Sequence, residues 1–585
     1  MAGSEAGYRG LFPPFDRRFF ESDSTFTRVG QGPLGGKAEG LAFIQAEVIA
    51  ALADECPAGI DITVPRMLII AGDMFDAFMA RNRLGPVVDA DLSDDRIAHA
   101  FVRAELPAEL VGDLHALADS VRTPLAVRSS SLLEDALAHP FAGVYATKMI
   151  PNHRHGTADR FAGLIEAVKF VYASTFFAGA KAYRRALGIE EGAEKMAVII
   201  QEVVGDRHHD RFYPDVSGVA RSYSYYPLPG STPEDGMASL ALGLGKTVVD
   251  GETSWIYTPG RPGAPAPMAS ARAYLDETQT SFWAVNMGVA VYDPVRETEY
   301  LVRASLADAE ADGTLQHIAS TYDASSDCIR PGLGPPGPRV IDFGLLLKYK
   351  TLALNDGICS MMAASRERMG CEVEIEFAAQ LARPPDRSRT RVGFLQLRPM
   401  VHVGSQAMVD VGDLADDRVI VASEQSLGNG LVEHLRDIVF VKPDVFEPAH
   451  TRRVAEEVGM LNRALLERGD EYVLIGFGRW GTADTWLGIP VEWAQISAAR
   501  VVVETAIASL RPEMSQGSHF FHNLIGAHTL YLSVPFSAQP AVNWKWLLDQ
   551  DTIQEAEFVR HVRAKRPLSI RVDGRSGRGV IVHHE

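Results

Sequence analysis

The chain has 585 residues, enough for about two to four domains with cores of their own. Its 75 acidic residues against 57 basic ones give a formal charge of −18, which argues against a general nucleic-acid or membrane-surface binder. The four cysteines, Cys56, Cys328, Cys359 and Cys371, form no CxxC pair, which points to a reducing compartment and away from a zinc site.

The N-terminal MAGSEAGYRGLFPPFDRRFF lacks the basic start and apolar core of an export signal. No apolar run approaches the roughly 18 residues of a membrane span, so the expectation is a cytoplasmic protein. Residues 1–30 read as a loosely structured lead-in. In VGQGPLGGKAEGLAFIQAEV a glycine-rich turn opens a helix, with Leu41, Ile44 and Val48 spaced for one face. Glycines before a helix free backbone N–H groups for an anion, and Lys37 adds a point charge, although the spacing is not that of a Walker A loop.

PLAVRSSSLLEDALAHPFAGVYATKMI comes next. An apolar strand, Pro124 to Val127, delivers Arg128 and the serines Ser129, Ser130 and Ser131. Glu134, Asp135 and a Phe141-Ala142-Gly143 turn follow. The run reads as phosphate donors followed by carboxylates, or as a serine N-cap with a glutamate a few residues on. After a helical stretch, VKFVYASTFFAGAKAYRRALGI, the β-branched KMAVIIQEVV suits a buried strand. SGVARSYSYYP and ASLALGLGKTVVDGETSWIY come after it. Residues 260–345 carry no placed motif, and PGLGPPGPRVIDF reads as a connection before a helix in YKTLALNDGICSMMAASRERM.

In CEVEIEFAA, alternation puts Val373, Ile375 and Phe377 on one strand face and Glu372, Glu374 and Glu376 on the other. In RVGFLQLRPM the same period sends Leu395 and Leu397 inward and sets Gln396 with Arg398 on the opposite face. Between them LARPPDRSRT suits a hairpin loop. Paired strands would bring carboxylates, an amide and a guanidinium onto one surface, a set suited to Mg²⁺ held against phosphate.

EIEFA followed by FLQLRPM resembles the DIEWA and LQxRP pair that closes the ATP-binding domain of the phosphoenolpyruvate synthase and pyruvate phosphate dikinase family. VRSSSLLEDALAHPFAG resembles the family's VRSSATAEDLPDASFAG, and the Gly-Gly-Lys turn its GGKxxxL start. The resemblance implies that Lys37, Arg128, Ser129 and Ser130 meet ATP phosphates. KMAVIIQEVV is similar to the family strand beside adenine, which makes Gln201 to Val203 adenine-pocket candidates. By the same comparison Glu376 and Gln396 would hold Mg²⁺, and Arg398 would stabilise the transferring group. Two departures stand out: Ala220 and Arg221 replace a more apolar pair, and Lys246 stands where the family commonly has Glu. The implied fold is α/β (α+β): an ATP-grasp domain over residues 31–402, with two subdomains clamping ATP, then a smaller mixed α/β domain over 403–585.

Full-length relatives continue into a swivelling phosphohistidine domain and a pyruvate barrel, and about 180 residues are too few for both. Only Gly517-Ser518-His519 echoes the phosphohistidine signature, and a histidine among Phe520, Phe521 and Leu524 is also an ordinary structural residue. In YVLIGFGRWGTADTWLGIPVEW, the residues Arg479, Trp480, Asp484 and Trp486 read either as an acceptor pocket or as a turn with core tryptophans. Arg563, Lys565, Arg566, Arg571, Arg575 and Arg578 crowd the C-terminus, to hold an acidic acceptor or to balance acidic neighbours.

The expected activity is transfer of a phosphoryl group from Mg-ATP to an unidentified acceptor, with Arg128, Arg398 and His519 as catalytic candidates. Two alternatives are an ATP-binding sensor without turnover, and the ATP-using half of a split dikinase whose protein partner carries the phosphohistidine or the pyruvate barrel. Neither nucleic acid nor membrane is expected as a partner.

Overall fold

The computed structural model describes residues 8–584 apart from 54–55, 91, 133, 135–143, 187–193, 225–227, 229, 265–269, 277, 335, 386, 401–406, 483, 508–528, 537–541 and 575. Internal contacts divide the chain into two units. One comprises Met1–Lys181, Glu190–Val249 and Thr253–Met400; the other comprises Ala182–Ile189, Asp250–Glu252 and Val401–Glu585.

The larger unit is built on two mixed sheets. Their strands, in chain order, are β1 (Phe26–Val29), β2 (Ile60–Thr63), β3 (Met67–Ile70), β4 (Leu125–Ser131), β5 (Thr147–Ile150) and β6 (Met196–Glu202). They continue with β7 (Val216–Arg221), β8 (Met237–Ala241), β9 (Trp255–Tyr257), β10 (Val373–Gln380) and β11 (Thr390–Pro399). The first sheet runs β1-β3-β6-β4-β5 and the second β9-β8-β7-β10-β11-β2. β4 and β6 carry buried residues on both faces, as expected for central strands covered from either side. The segment Thr157–Arg185 is long and apolar enough to pass for a membrane span by composition. Its first part, helix α2 (Thr157–Ser174), instead packs on β4, β5 and β6.

The lead-in is more ordered than its sequence suggests. Its aromatic residues give it apolar area to bury, so Phe12 and Phe19 are buried and β1 pairs with β3. Helix α1 (Gly36–Phe43) continues through a π-turn at Ile44–Val48, and Leu41, Ile44 and Val48 are all buried. Gly35 precedes α1 at φ +80°, and a Cβ there would lie 1.8 Å from the Ser130 carbonyl oxygen. Glycine is therefore required for α1 to approach β4. Ser130 Oγ caps the contact, accepting from Ala38 N at 3.1 Å and donating to Leu34 O at 2.8 Å.

β10 and β11 pair antiparallel across the Pro-rich loop, with Glu374 opposite Arg398 and Glu376 opposite Gln396. Val373, Ile375 and Phe377 are buried, as the alternation requires, and α3 (Leu354–Met369) packs on this strand. One expectation fails. Phe377 pairs with Phe394 while Glu376 pairs with Gln396, so Leu395 is a bulge, and it is half-buried rather than inward.

The smaller unit is α/β. Its main sheet has a parallel centre of Asp437–Val441, Tyr472–Phe477, Ala499–Thr505 and Leu530–Val534. Gln425–Leu427 flanks it on one side, and Val559–Arg563 with Asp551–Glu555 on the other, all antiparallel. The central strands are buried nearly throughout, and the helix Thr451–Arg468 connects two of them.

Two outcomes follow from this packing. Gly35→Ala should destabilise the larger unit by about 2 kcal/mol or more, since it meets both the left-handed penalty and the Ser130 backbone; an unchanged melting temperature would contradict the contact. Asp215 is buried beside Arg383 and accepts from Leu381 N at 2.8 Å. Burial raises its carboxyl from 3.8 to about 6, against the pull of Arg383 and the Leu381 N–H. The native state thus keeps a proton that the unfolded chain loses. The contribution is full below 3.8 and is lost as pH rises through about 6. Asp215→Asn should flatten that slope in urea melts at pH 4 and pH 7, a difference of up to about 3 kcal/mol; parallel slopes would refute it.

Candidate functional site

Arg128 lies on β4, in the first sheet, and reaches across to β11 in the second. Its NH2 donates to Gln396 Oε1 at 2.8 Å, and its NH1 to the Leu395 carbonyl at 3.2 Å and to Gln201 Oε1 at 3.3 Å. The Leu395 carbonyl is available because the bulge takes that residue out of the ladder. A fork of fixed donors can serve all three acceptors at once.

On the neighbouring serines sits a closed polar cluster. Lys37 Nζ donates to Glu134 Oε1 at 2.5 Å and to Ser129 Oγ at 3.1 Å. Ser129 Oγ donates in turn to Glu134 Oε1 at 2.8 Å, and Ser131 N donates to Glu134 Oε2 at 2.8 Å. Lys37 and Glu134 are both buried, so the pair holds because the serine and backbone donors satisfy the remaining lone pairs. Glu134 N in turn donates to Ser131 Oγ at 3.2 Å, the reciprocal serine–glutamate pair of the N-cap reading. Ser130 serves α1, while Ser129 serves Lys37. Asp135 and the Phe141-Ala142-Gly143 turn lie outside the described residues.

The second sheet supplies a charged row. Arg398 NH1 donates to Glu376 Oε1 at 2.8 Å and lies 3.4 Å from Glu374 Oε1. Glu374 Oε2 accepts from Arg221 Nε at 2.6 Å. Glu372 belongs elsewhere: Ser222 Oγ donates to it at 2.6 Å, and Arg366 pairs with it at 2.6 Å. Glu376 and Gln396, register partners on adjacent strands, are therefore the adjoining carboxylate and amide oxygens of this face.

Gln201 is buried on β6, and its Nε2 finds no hydrogen-bond partner among the described residues. Val203, just past the strand, packs with Met149 and Trp283 against a small cluster of Phe212, Leu244, Val285 and Met287. Lys246 Nζ lies 5.9 Å from the Trp283 ring centroid, a cation–π contact that gives the unexpected lysine a local place. Elsewhere in this unit a cavity of about 730 Å³ is walled by Trp255, Arg261, Tyr274, Asp342 and Lys348 among others; none of the sequence-derived residues lines it.

In the smaller unit the four acceptor-pocket candidates part company. Trp480 is 1% exposed, with its indole N–H donating to Val503 O at 3.2 Å and its backbone N–H to Glu504 Oε1 at 2.8 Å. Gly476 makes room for it, since a Cβ there would lie 2.2 Å from the ring. Trp480 is thus a core residue and not a pocket wall. Asp484 shapes a turn, accepting from Trp486 N at 2.9 Å, while the Trp486 side chain is 69% exposed. Arg479 pairs in a short two-residue strand with Gly488. His519 lies outside the described residues. Of the C-terminal basic residues, Arg563 forks onto Asp437 at 2.9–3.1 Å and Arg571 reaches Asp413 at 2.8 Å, so acidic neighbours take both.

The roles of two residues are not evident from the sequence. Glu134 is the counterion of Lys37, and Arg221 that of Glu374. A lone charge in an otherwise apolar strand was the signal available for Arg221; its partner 153 residues away was not readable.

A family model described as pyruvate phosphate dikinase, AMP/ATP-binding domain, matches residues 32–416. The chain is 28% identical over 208 residues to the rifampicin phosphotransferase of Streptomyces sviceus, covering 32% of this chain and 22% of that protein. It is 25% identical over 245 residues to the phosphoenolpyruvate synthase of Aeropyrum pernix, covering 38% of this chain and 26% of that protein. The matches thus span about a quarter of the length of these two relatives. The family match takes in well over half of the chain, including Lys37, Arg128, Gln201, Glu376, Gln396 and Arg398, and the chain belongs to the pyruvate phosphate dikinase AMP/ATP-binding domain family.

Proposed function

We propose that the protein is an ATP-dependent phosphotransferase that passes a phosphoryl group from Mg-ATP to a separate acceptor. The observation that carries this reading is the convergence of Arg128 and Arg398 on the Gln396–Glu376 pair, one guanidinium on each. Two similar proteins bear phosphotransfer names, rifampicin phosphotransferase and phosphoenolpyruvate synthase, and the family name is that of an AMP/ATP-binding domain.

The residues suit the nucleotide. The amide Nε2 of Gln201 is a buried donor lacking a protein acceptor among the described residues, and Val203 offers an apolar wall nearby in sequence. Arg128 and Arg398 present planar forks to phosphate oxygens, with Ser129, Ser130 and Lys37 behind them. A phosphate oxygen is a stronger acceptor than an amide. It would displace Gln396 Oε1 from Arg128 and leave that oxygen, with Glu376, to hold Mg²⁺. Bound there, Mg²⁺ would neutralise phosphate charge and fix its oxygens. Arg398, held by carboxylates on its own sheet, would keep its charge where negative charge develops on the transferring group. Arg128, still held by the Leu395 carbonyl and Gln201 Oε1, would orient the phosphates. Phosphoryl transfer asks mainly for positioning and charge stabilisation, and this set provides both.

Arg128→Ala and Glu376→Ala should each lower nucleotide turnover by about 10²-fold or more while the protein still folds, as circular dichroism would check; near-normal turnover in either variant would remove these residues from the mechanism. Incubation with Mg-ATP and a cell metabolite extract should release nucleotide product only when the extract is present. ADP alone would mean direct transfer to an acceptor. AMP with acid-labile phosphate on the protein would mean a dikinase relay, with His519 as the residue to examine. Measurable Mg-ATP binding with no product in any extract would replace the transferase by a nucleotide sensor.

A further inference from the structure

Arg221 is the last residue of β7, and its in-register partner on β10 is Glu374. Glu374 in turn faces Arg398 on β11. The three side chains therefore form a row across three strands, and all are buried. Arg221 Nε donates to Glu374 Oε2 at 2.6 Å, whereas Arg398 stands 3.4 Å from the other oxygen of the same carboxylate and 2.8 Å from Glu376. A buried arginine carries a heavy desolvation penalty, and its hydrophobic contacts alone do not offset it.

The charges explain its place. Glu374 lies between Arg221 and Arg398, and Glu376 is the other carboxylate within reach of Arg398. Without Arg221, Glu374 would draw harder on Arg398, which already stands 3.4 Å from its Oε1. With it, the Glu374 charge is taken from behind, and Arg398 stays on Glu376.

We propose that Arg221 is a positioning residue for the phosphate end of the site, acting through Glu374 to set Arg398. This rests on the ATP-binding reading given above. The two can fail separately, because the test reads affinity as well as turnover.

Calorimetry with Mg-ATP, and with AMP as the control lacking the outer phosphates, would compare wild type with Arg221→Lys, Arg221→Met, Glu374→Gln and the Met/Gln double variant. Arg221→Met should weaken Mg-ATP by about tenfold or more, the ordinary size for a lost charge-assisted interaction, and leave AMP nearly unchanged. In the Glu374→Gln background the same change should cost less than about threefold, because the carboxylate that Arg221 restrains is gone. Arg221→Lys, which keeps the charge, should stay within about threefold of wild type. Equal losses in both backgrounds would reduce Arg221 to a packing residue and overturn the proposal. Should Arg221→Met not fold, the double variant against Glu374→Gln and the lysine variant against wild type separate the same two outcomes. Wild-type binding of Mg-ATP without product would sink the transferase alone, and no binding at all would sink both.

Discussion

The Arg128 bridge is the constraint on which the site depends. One guanidinium on the first sheet is shared between a buried amide of its own sheet and two oxygens of the second. Lys37, Ser129 and Glu134 are locked beside β4, and Arg221, Glu374, Arg398 and Glu376 across β7, β10 and β11. Arg128 joins the one group to the other. A lysine, a compact point charge without the planar fork, would not span these three acceptors in the same way.

The site also illustrates how charge is kept inside a protein. Buried carboxylates at Glu134 and Glu374 are each matched by a cation, and hydroxyl or backbone donors complete the Glu134 set. Such matching makes the arrangement stiff, because moving one member strands another without a partner. Stiffness suits a reaction whose chief demand is that charges already stand in place.

Much of this is legible in the sequence. Strand alternation at Val373, Ile375 and Phe377 tells which side faces the core, and Glu376 and Gln396 meet across the expected hairpin because their spacing from the loop allows it. Gly35 at the start of the helix is visible too, and the nearness of Ser130 gives it a packing reason. What stays hidden are pairings at long sequence range, Lys37 with Glu134 and Arg221 with Glu374, since no local pattern encodes a partner more than ninety residues away. Trp480 is ambiguous for another reason. A tryptophan beside glycines fits a pocket or a tight core equally well, and only the Gly476 contact decides for the core.

The bulge at Leu395 reaches beyond its own residue. Upstream of it the even-numbered Val392 and Phe394 face the core, while downstream the even-numbered Gln396 and Arg398 face the site. The strand therefore changes phase in its middle, and one extra residue acts as the switch. Substitutions along β11 can be absorbed one by one, but a change of length by one residue between Phe394 and Gln396 resets the parity of half the strand. In descent, this segment would be free to vary in letters and bound to keep its count.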